Sequence, residues 1–348
     1  MGHLHTAGRN STFSGKTVLL RVDCDVDLKG SKIIDDTRLT ASLATIELVI
    51  KKGGEINLIG HLGRPAGEDP KLTLYPIALW FAHRLKGRVV PINIGNLKGW
   101  KITEKVNLIE NIRYFKEEEE NDTKFARELA LLGDIYINNA FAVSHRAHAS
   151  IVGIAKYMPS FAGLHLKKEI DELSKILDNP KRPLAILIGG AKIETKLPLV
   201  EKMHHVADYV LVGGEIAEQD RVLIKVQHEK ITGRKSAVLV ADSNKDKTDI
   251  DSKSVENFKQ ILGLAATIVW NGPVGITGHG TSTEKGTKAL AEFIVSQKAY
   301  KVVGGGDTLS YLHRHNLLGK FDFVSTGGGA MLEFLSGRKL PGIVALEK

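Results

Sequence analysis

The chain contains one cysteine, Cys24, in 348 residues, so no internal disulfide can staple it. A lone cysteine is compatible with a reducing compartment. No apolar run reaches the roughly 18 residues of a bilayer-spanning helix. The polar start MGHLHTAGRNSTFSG also lacks the apolar core of a signal peptide. These absences lead to the expectation of a cytoplasmic protein with no membrane partner. His3 and His5 could mimic a metal site, but their setting reads as a flexible arm or an expression remnant. Aromatic residues make up only 6% of the chain and no run of five Lys or Arg occurs. The net charge of +8 therefore comes without the stacking platforms and basic stripes that hold nucleic acid. Small anions remain as partners for that charge.

The usual nucleotide signatures are missing too. Gly280-TSTEKGT-Thr287 scrambles the order a P-loop requires, and no G-x-G-x-x-G follows a strand. Asp23-CDVDLKG-Gly30 starts like a calcium loop, but Leu28 and Ile34 occupy its sixth and twelfth positions.

What is present is a repeated theme. Four β-branched runs in the second half end in glycine clusters: LAILIGGAK, TIVWNGPVG, YKVVGGGDT and FDFVSTGGG. Short apolar runs bounded by glycine read as buried parallel strands. Ligands of such sheets bind beyond the strand carboxyl ends, where glycines let backbone N–H groups approach an anion. In GGAKIETK, Lys192 and Lys196 are spaced i, i+4 at a helix start. Their mutual repulsion makes sense if a polyphosphate neutralises them. Asp307 in GGGDT reads either as a magnesium ligand or as a helix N-cap.

The first half repeats the strand-then-polar-tip pattern at 17–23, 55–61, 89–94, 106–111 and 135–141. Helical spacing occupies Thr37–Lys52, Leu74–Leu85 and Thr123–Leu132, so the fold class is α/β with helix-covered parallel sheets. A further helix over Ala162–Leu177 reads as the joint between two domains. Basic residues gather at the first-half tips: Arg38 after DDT, His61 and Arg64 in HLGRP, Arg113 after ENI, Arg146 and His148 in HRAHAS. Arginine forks grip carboxylate and phosphate bidentately, which suits a small doubly anionic substrate.

Taken in order, RVDCDV, DDTR, HLGRP, ENIRY, HRAHAS, GGAKIETK, VWNGPVG, GGGDT, STGGGA and KLPGIVAL make the chain resemble phosphoglycerate kinases. The resemblance runs from Thr17 to Leu346. It implies two facing Rossmann-like three-layer domains: 1–158 for phosphoglycerate and 180–330 for nucleotide, joined by a helix at 159–179. Residues 331–348 would pack back on the first domain. It further implies a monomeric glycolytic kinase that closes about a hinge. Phosphoryl would pass between 1,3-bisphosphoglycerate and ADP to give 3-phosphoglycerate and ATP, with Mg2+ as cofactor.

Matched position by position, the resemblance assigns Asp23, Asp25, Arg38, His61, Arg64, Arg113, Arg146 and His148 to phosphoglycerate. It assigns Gly190, Lys192, Lys196, Gly213, Gly214, Asn271, Pro273, Gly306, Asp307 and Thr308 to the nucleotide, with Asp307 as the metal ligand. Gly328 and Gly329 would meet the transferred phosphoryl group, and Arg38, Lys192 and Lys196 would stabilise its charge.

The chain also departs from the family pattern. Asp25 and Asp27 stand where asparagine and proline are usual. Gly278 replaces the glutamate expected to hold the ribose, and Glu215 stands where a small residue lies beside the adenine. Beyond Gln219 a helix and loop are mostly missing. Weak or relaxed nucleoside recognition follows as an expectation. A degenerate phosphoglycerate-binding protein without useful turnover stays open as the alternative.

Overall fold

The computed structural model describes residues 4–8, 11–190, 193–214, 217, 236–278 and 281–347, with the side chains of 193–198 and 281 left aside. Lys192, Glu215 and the side chain of Lys196 therefore lie outside the described residues. The chain divides into two compact units, Met1–Ile170 with Lys339–Lys348, and Asp171–Arg338.

The first unit contains β1 (Thr17–Arg21), β2 (Leu28–Lys29), β3 (Lys32–Ile33), β4 (Glu55–Ile59), β5 (Val90–Ile94), β6 (Leu97–Thr103), β7 (Val106–Ile109), β8 (Ile135–Asn138) and β9 (Ser160–Ala162). Its helices are α1 (Thr37–Lys51), α2 (Tyr75–Leu85), α3 (Lys116–Glu119), α4 (Thr123–Ala130) and the start of α5 (Leu164–Asp178). Seven strands form one sheet in the order β5-β6-β7-β4-β1-β8-β9. The central strands pair in parallel, and β1 sits between β4 and β8 with Val18, Leu19 and Leu20 fully buried. Burying each such side chain contributes about 1.5–3 kcal/mol.

Two features correct the sequence reading. β6 (LKGWKIT) was not foreseen, because its lysines hide the strand pattern. It folds back on β5 through Gly95, whose φ is +58°, so β5-β6-β7 run antiparallel at one edge. The expected flexible arm also fails for residues 4–7. Thr6 bridges to Ala162 and Leu4 to Glu347, while Ala7 N donates to Ala162 O at 2.9 Å.

The second unit contains β10 (Leu184–Ile188), α6 (Ile193–Val206), β11 (Tyr209–Val212), β12 (Ala237–Val240), α7 (Ser252–Leu264) and β13 (Thr267–Asn271). It continues with α8 (Lys285–Ser296), β14 (Tyr300–Gly304), α9 (Gly306–Arg314), β15 (Phe323–Val324) and α10 (Gly328–Leu335). The strands form an all-parallel sheet in the order β12-β11-β10-β13-β14-β15. Every residue of β10 and β13 is buried, as a strand covered on both faces requires. The chain order switches direction beside β10, between β11 and β13, which is where an open α/β sheet leaves a crevice. After this unit the chain returns to the first with α11 (Pro341–Val344), where Gly342 N donates to Ser144 O at 2.8 Å.

Candidate active site

The carboxyl ends of β1, β4 and β7 bring the basic tips of the first unit together. Just past β4, Gly60 lies so close to β1's tip that a Cβ there would sit 2.5 Å from Cys24 Sγ. That close approach sets His61 beside Arg21, the last residue of β1. Arg21 is fully buried and donates from Nε to Ser150 Oγ, from Nη1 to Val22 O and from Nη2 to His61 Nδ1 at 3.0 Å. A guanidinium has no acceptor, so His61 Nδ1 must accept and the ring proton belongs on Nε2. Burial, followed by the charges of Arg21 and Arg113, pushes the pKa of His61 well below its ordinary value. The ring is therefore neutral, with one N–H pointing outward.

Arg38, near the start of α1, places Nε 3.5 Å from Asp23 Oδ2 and donates from Nη1 to the Asp25 carbonyl at 2.6 Å. The Asp23 charge is the first cause of Arg38's raised pKa, while burial is the first cause that raises Asp23's own. Arg113 follows β7; Asn111, buried beneath it, donates to Leu62 O and Leu72 O and holds the turn. Its Nη1 donates to Gly63 O at 2.9 Å, and burial brings its pKa down to about 10, so it stays charged at neutral pH. Burial lowers His148 to about 3 and His145 to about 4, so both are neutral.

Several buried atoms in this cluster have no hydrogen-bond partner among the described residues: Arg113 Nε and Nη2, His148 Nδ1 and Asp23 Oδ2. Buried polar groups are normally satisfied. Arg113 Nε faces Glu119 Oε1 at 3.3 Å, His148 Nδ1 faces Glu118 Oε1 at 3.7 Å and Asp23 Oδ2 faces Arg38 Nε at 3.5 Å, all without a hydrogen bond. Arg113 Nη2 has neither a hydrogen bond nor an ion pair among the described residues. A basic pocket with donors so weakly engaged fits an anionic ligand. The structure thus brings together Asp23, Asp25, Arg38, His61, Arg113 and His148. Arg146 lies close enough for its charge to act on Arg113 and His148. Arg64 is exposed and joins no ion pair among the described residues.

Sequence reasoning missed Arg21, Ser150 and Glu118. Glu118 is fully buried and accepts from Ser150 N at 2.8 Å and Ser150 Oγ at 2.6 Å. Ser150 Oγ thus links the Glu118 carboxylate to the Arg21 guanidinium. Nothing in TVLLR tells a buried strand-end arginine from a solvated one.

In the second unit, the tips of β10, β11 and β13 border a cleft of about 550 Å³. Gly190, Gly214, Pro273 and Asp307 line it. Gly190 and Gly214 have φ of +89° and +71°, and a Cβ on Gly214 would meet Gly190 N at 2.8 Å, so the two loops touch backbone to backbone. Gly213, Asn271 and Thr308 lie behind this lining. Thr308 is fully buried and its Oγ1 accepts from Gly272 N at 2.9 Å, which pins the β13 tip. Asn271 is buried, with Nδ2 3.8 Å from Met331 Sδ.

The N-termini of α9 and α10 converge. Gly305 caps α9 with φ +96°, and a Cβ on Gly328 would lie 3.2 Å from Gly305 Cα. Gly306 and Gly329 are exposed at the two helix starts, so backbone N–H groups and two helix dipoles are available to an anion. Asp307 sits in the first helical turn and caps nothing, which removes its N-cap reading.

The cleft's remaining wall comes from Ser243, Lys247, Thr248 and Asp249 and, beyond Pro273, from Thr277. Residues 242–254, DSNKDKTDIDSKS, are rich in charge and carry no periodicity that marks them as part of a site. Asp249 shapes this loop, accepting from Ile250 N at 2.9 Å and Gly286 N at 2.6 Å. Gly278 has φ +91°, open space around it, and an N–H donated to Glu284 Oε1.

Comparison with known proteins meets this geometry at both units. The family model "Phosphoglycerate kinase" matches residues 9–233 and 218–338. The chain belongs to the phosphoglycerate kinase family. The phosphoglycerate kinase of Dictyoglomus turgidum is 36% identical over 390 aligned positions, covering 97% of each chain. That of Syntrophobacter fumaroxidans is 39% identical over 386 positions, covering 96% of each. Among solved structures, phosphoglycerate kinase from Coxiella burnetii aligns with a TM-score of 0.78 at 31% identity over 97% of both chains. That from Pyrococcus horikoshii OT3 aligns at 0.81 and 28% identity, over 99% of this chain and 98% of the other. A phosphoglycerate kinase is a phosphotransferase with a carboxyl acceptor. The two family-model matches meet at 218–233, where the sequence reading places the missing helix and loop.

Proposed function

We propose that this phosphoglycerate kinase binds 3-phosphoglycerate or 1,3-bisphosphoglycerate in the basic pocket of its first unit and ADP or ATP in the cleft of its second. The observation that carries the assignment is the set of buried polar atoms on Arg113, His148 and Asp23 that make no hydrogen bond, although Glu119, Glu118 and Arg38 lie 3.3–3.7 Å from three of them. Arg38 and Arg113 would take the substrate's anionic groups, with Arg64 and Arg146 adding field, and Nε2–H of His61 donating. The α- and β-phosphates would lie along Gly190 and Gly214, backed by Gly213, with Lys192 and Lys196 neutralising them. Gly328 and Gly329 offer N–H groups to the transferred phosphoryl.

Phosphoryl transfer needs in-line positioning and charge neutralisation more than covalent help. The acceptor is already a carboxylate or a phosphate, so no general base is required. Arg38 and Lys196 are the charge stabilisers in this proposal. Asp307 is exposed at the cleft, without an ion pair among the described residues, and suits a divalent cation shared with phosphate oxygens. No group of three metal-binding side chains occurs among the described residues, so the phosphates would supply the other ligands. Bound there, Mg2+ supplies electrostatic neutralisation of the phosphates. The protein works as a cytoplasmic monomer on small molecules in this reading.

Nucleoside recognition is relaxed. Gly278 offers no carboxylate, its left-handed φ disfavours a side chain, and Ser243, Thr248 and Thr277 are weaker ribose partners. A coupled assay of ATP formation with ADP, GDP and other diphosphates tests the whole reading. Turnover with little base selectivity is expected, and Arg38→Ala or Lys196→Ala should each lose orders of magnitude while remaining folded. Strong adenine selectivity with tight ADP binding sinks the relaxed-site part. Absence of ATP formation with retained 3-phosphoglycerate binding favours the second reading, a degenerate binding protein, which the loss at Gly278 motivates.

A further inference from the structure

We infer that the Asp25 carboxylate acts as a built-in anion that occupies the substrate's donors, so that phosphoglycerate must displace it to bind. The inference rests on the reading of the first-unit pocket given above. Asp25 Oδ1 accepts from Gly63 N at 2.9 Å. Its Oδ2 lies 3.8 Å from Arg38 Nη1 and 3.8 Å from His61 Nε2. A backbone N–H, a guanidinium and an imidazole N–H together form a donor set for carboxylate or phosphate. His61 presents that N–H because Arg21 occupies its other nitrogen.

An aspartate at this position adds negative charge near an anionic substrate and weakens binding unless it pairs with an arginine. It does pair, and the pairing is itself the obstacle. Arg38 already faces Asp23, which is buried with 5% of its side chain exposed and cannot leave. The second carboxylate therefore places an additional negative charge where the anionic substrate must enter, and Arg113 feels that charge as well. Asp25 differs from Asp23 in being 41% exposed, on the irregular segment between β1 and β2. It has solvent to turn into. Each substrate molecule must break the Gly63 and Arg38 contacts and then tolerate the displaced charge nearby. Like charges so close disfavour binding.

Asp25→Asn keeps the side chain's size and an acceptor for Gly63 N while removing the charge. Isothermal titration of 3-phosphoglycerate into wild type and Asp25→Asn is expected to show a Kd lower by about tenfold or more in the variant. Equal or weaker binding by a folded variant, with wild type still binding, overturns this inference alone. Absence of binding to either protein overturns the reading of the pocket, and this inference with it. A measurement on wild type covers the case of a variant that does not fold. The 13Cγ resonance of Asp25 should shift on saturation with 3-phosphoglycerate as the carboxylate leaves Gly63 and Arg38. An unmoved resonance at saturation overturns the displacement.

Discussion

Arg21→Met should cost the first unit about 3–5 kcal/mol, the usual consequence of stripping one partner from a buried charge pair. Methionine keeps most of the aliphatic stem and loses the guanidinium. The wild-type group makes hydrogen bonds to Ser150, Val22 and His61 with none of its surface exposed. Charge-assisted bonds contribute about 1.5–3 kcal/mol each, so three of them accommodate the loss. The variant leaves Glu118 fully buried, hydrogen-bonded to Ser150, with His148 Nδ1 3.7 Å away and Arg113 as the remaining nearby cation. Burial already raises the Glu118 pKa, and Arg21 is the leading influence holding it down. Removing Arg21 raises it further, so the folded variant takes up a proton that the unfolded chain binds only at lower pH. The variant's deficit must therefore shrink as pH falls from 7 toward 5. Glu118→Gln added to Arg21→Met should recover about half the deficit at pH 7 by removing the uncompensated charge. Amide hydrogen exchange reads each unit separately: Leu19 and Leu20 report on the first, Ile186 and Leu187 serve as the control. A deficit below about 1 kcal/mol, or one unrelieved by Glu118→Gln and insensitive to pH, refutes the reasoning.

Further predictions follow from the same geometry. His148, held at about 3 against an ordinary value of 6.5, stays neutral while the unfolded chain protonates, so its contribution is present above pH 6.5 and lost as pH falls toward 3. At pH 5 the loss is about 2 kcal/mol, and His148→Gln should flatten the difference profile by that amount. Asp23 and Glu118, whose pKa values are raised, act in the opposite sense, so the difference between variant and wild type is the test rather than either slope. Gly189→Ala would set a Cβ 2.3 Å from Pro273 O, and about 3 kcal/mol of destabilisation is expected in denaturant melts of the second unit. Gly306→Ala meets nothing within 4 Å, so it should leave the melt unchanged while weakening ADP binding in titration calorimetry. A destabilised Gly306→Ala would refute its placement at an open phosphate site.

Much of the fold was legible because the strands obey simple rules. LAILI and TIVWN are apolar throughout and end in glycine, so a buried parallel strand with an open tip is their cheapest reading, and both are fully buried. The helices at 37–51, 75–85 and 123–130 follow from spacing and from punctuation such as Asp122, whose side chain accepts from Phe125 N. β6 was not legible, since LKGWKIT is a half-exposed strand next to the edge strand β5, where lysines are tolerated and alternation fades. The site divides in the same way. Arg38, Arg113 and His148 announce themselves as basic residues after strands, whereas Arg21 reads as the polar end of a hydrophobic run. Lys247 and Thr248 sat in a segment with no periodicity, and only the tie from Asp249 to Ile250 and Gly286 turns that loop into a wall of the cleft.

By itself the sequence determined the class of fold, the family, and the identity of most charges around the substrate, because these rest on local patterns of apolarity, glycine and base. Tertiary structure decided what state those charges are in. That His61 is a neutral Nε2–H donor depends on Arg21 reaching it from the neighbouring strand. That Asp25 competes for the substrate's donors depends on Gly63, Arg38 and His61 arriving at one carboxylate from three separate segments. Burial and electrostatic coupling are properties of neighbours in space, and the linear order of residues does not contain them.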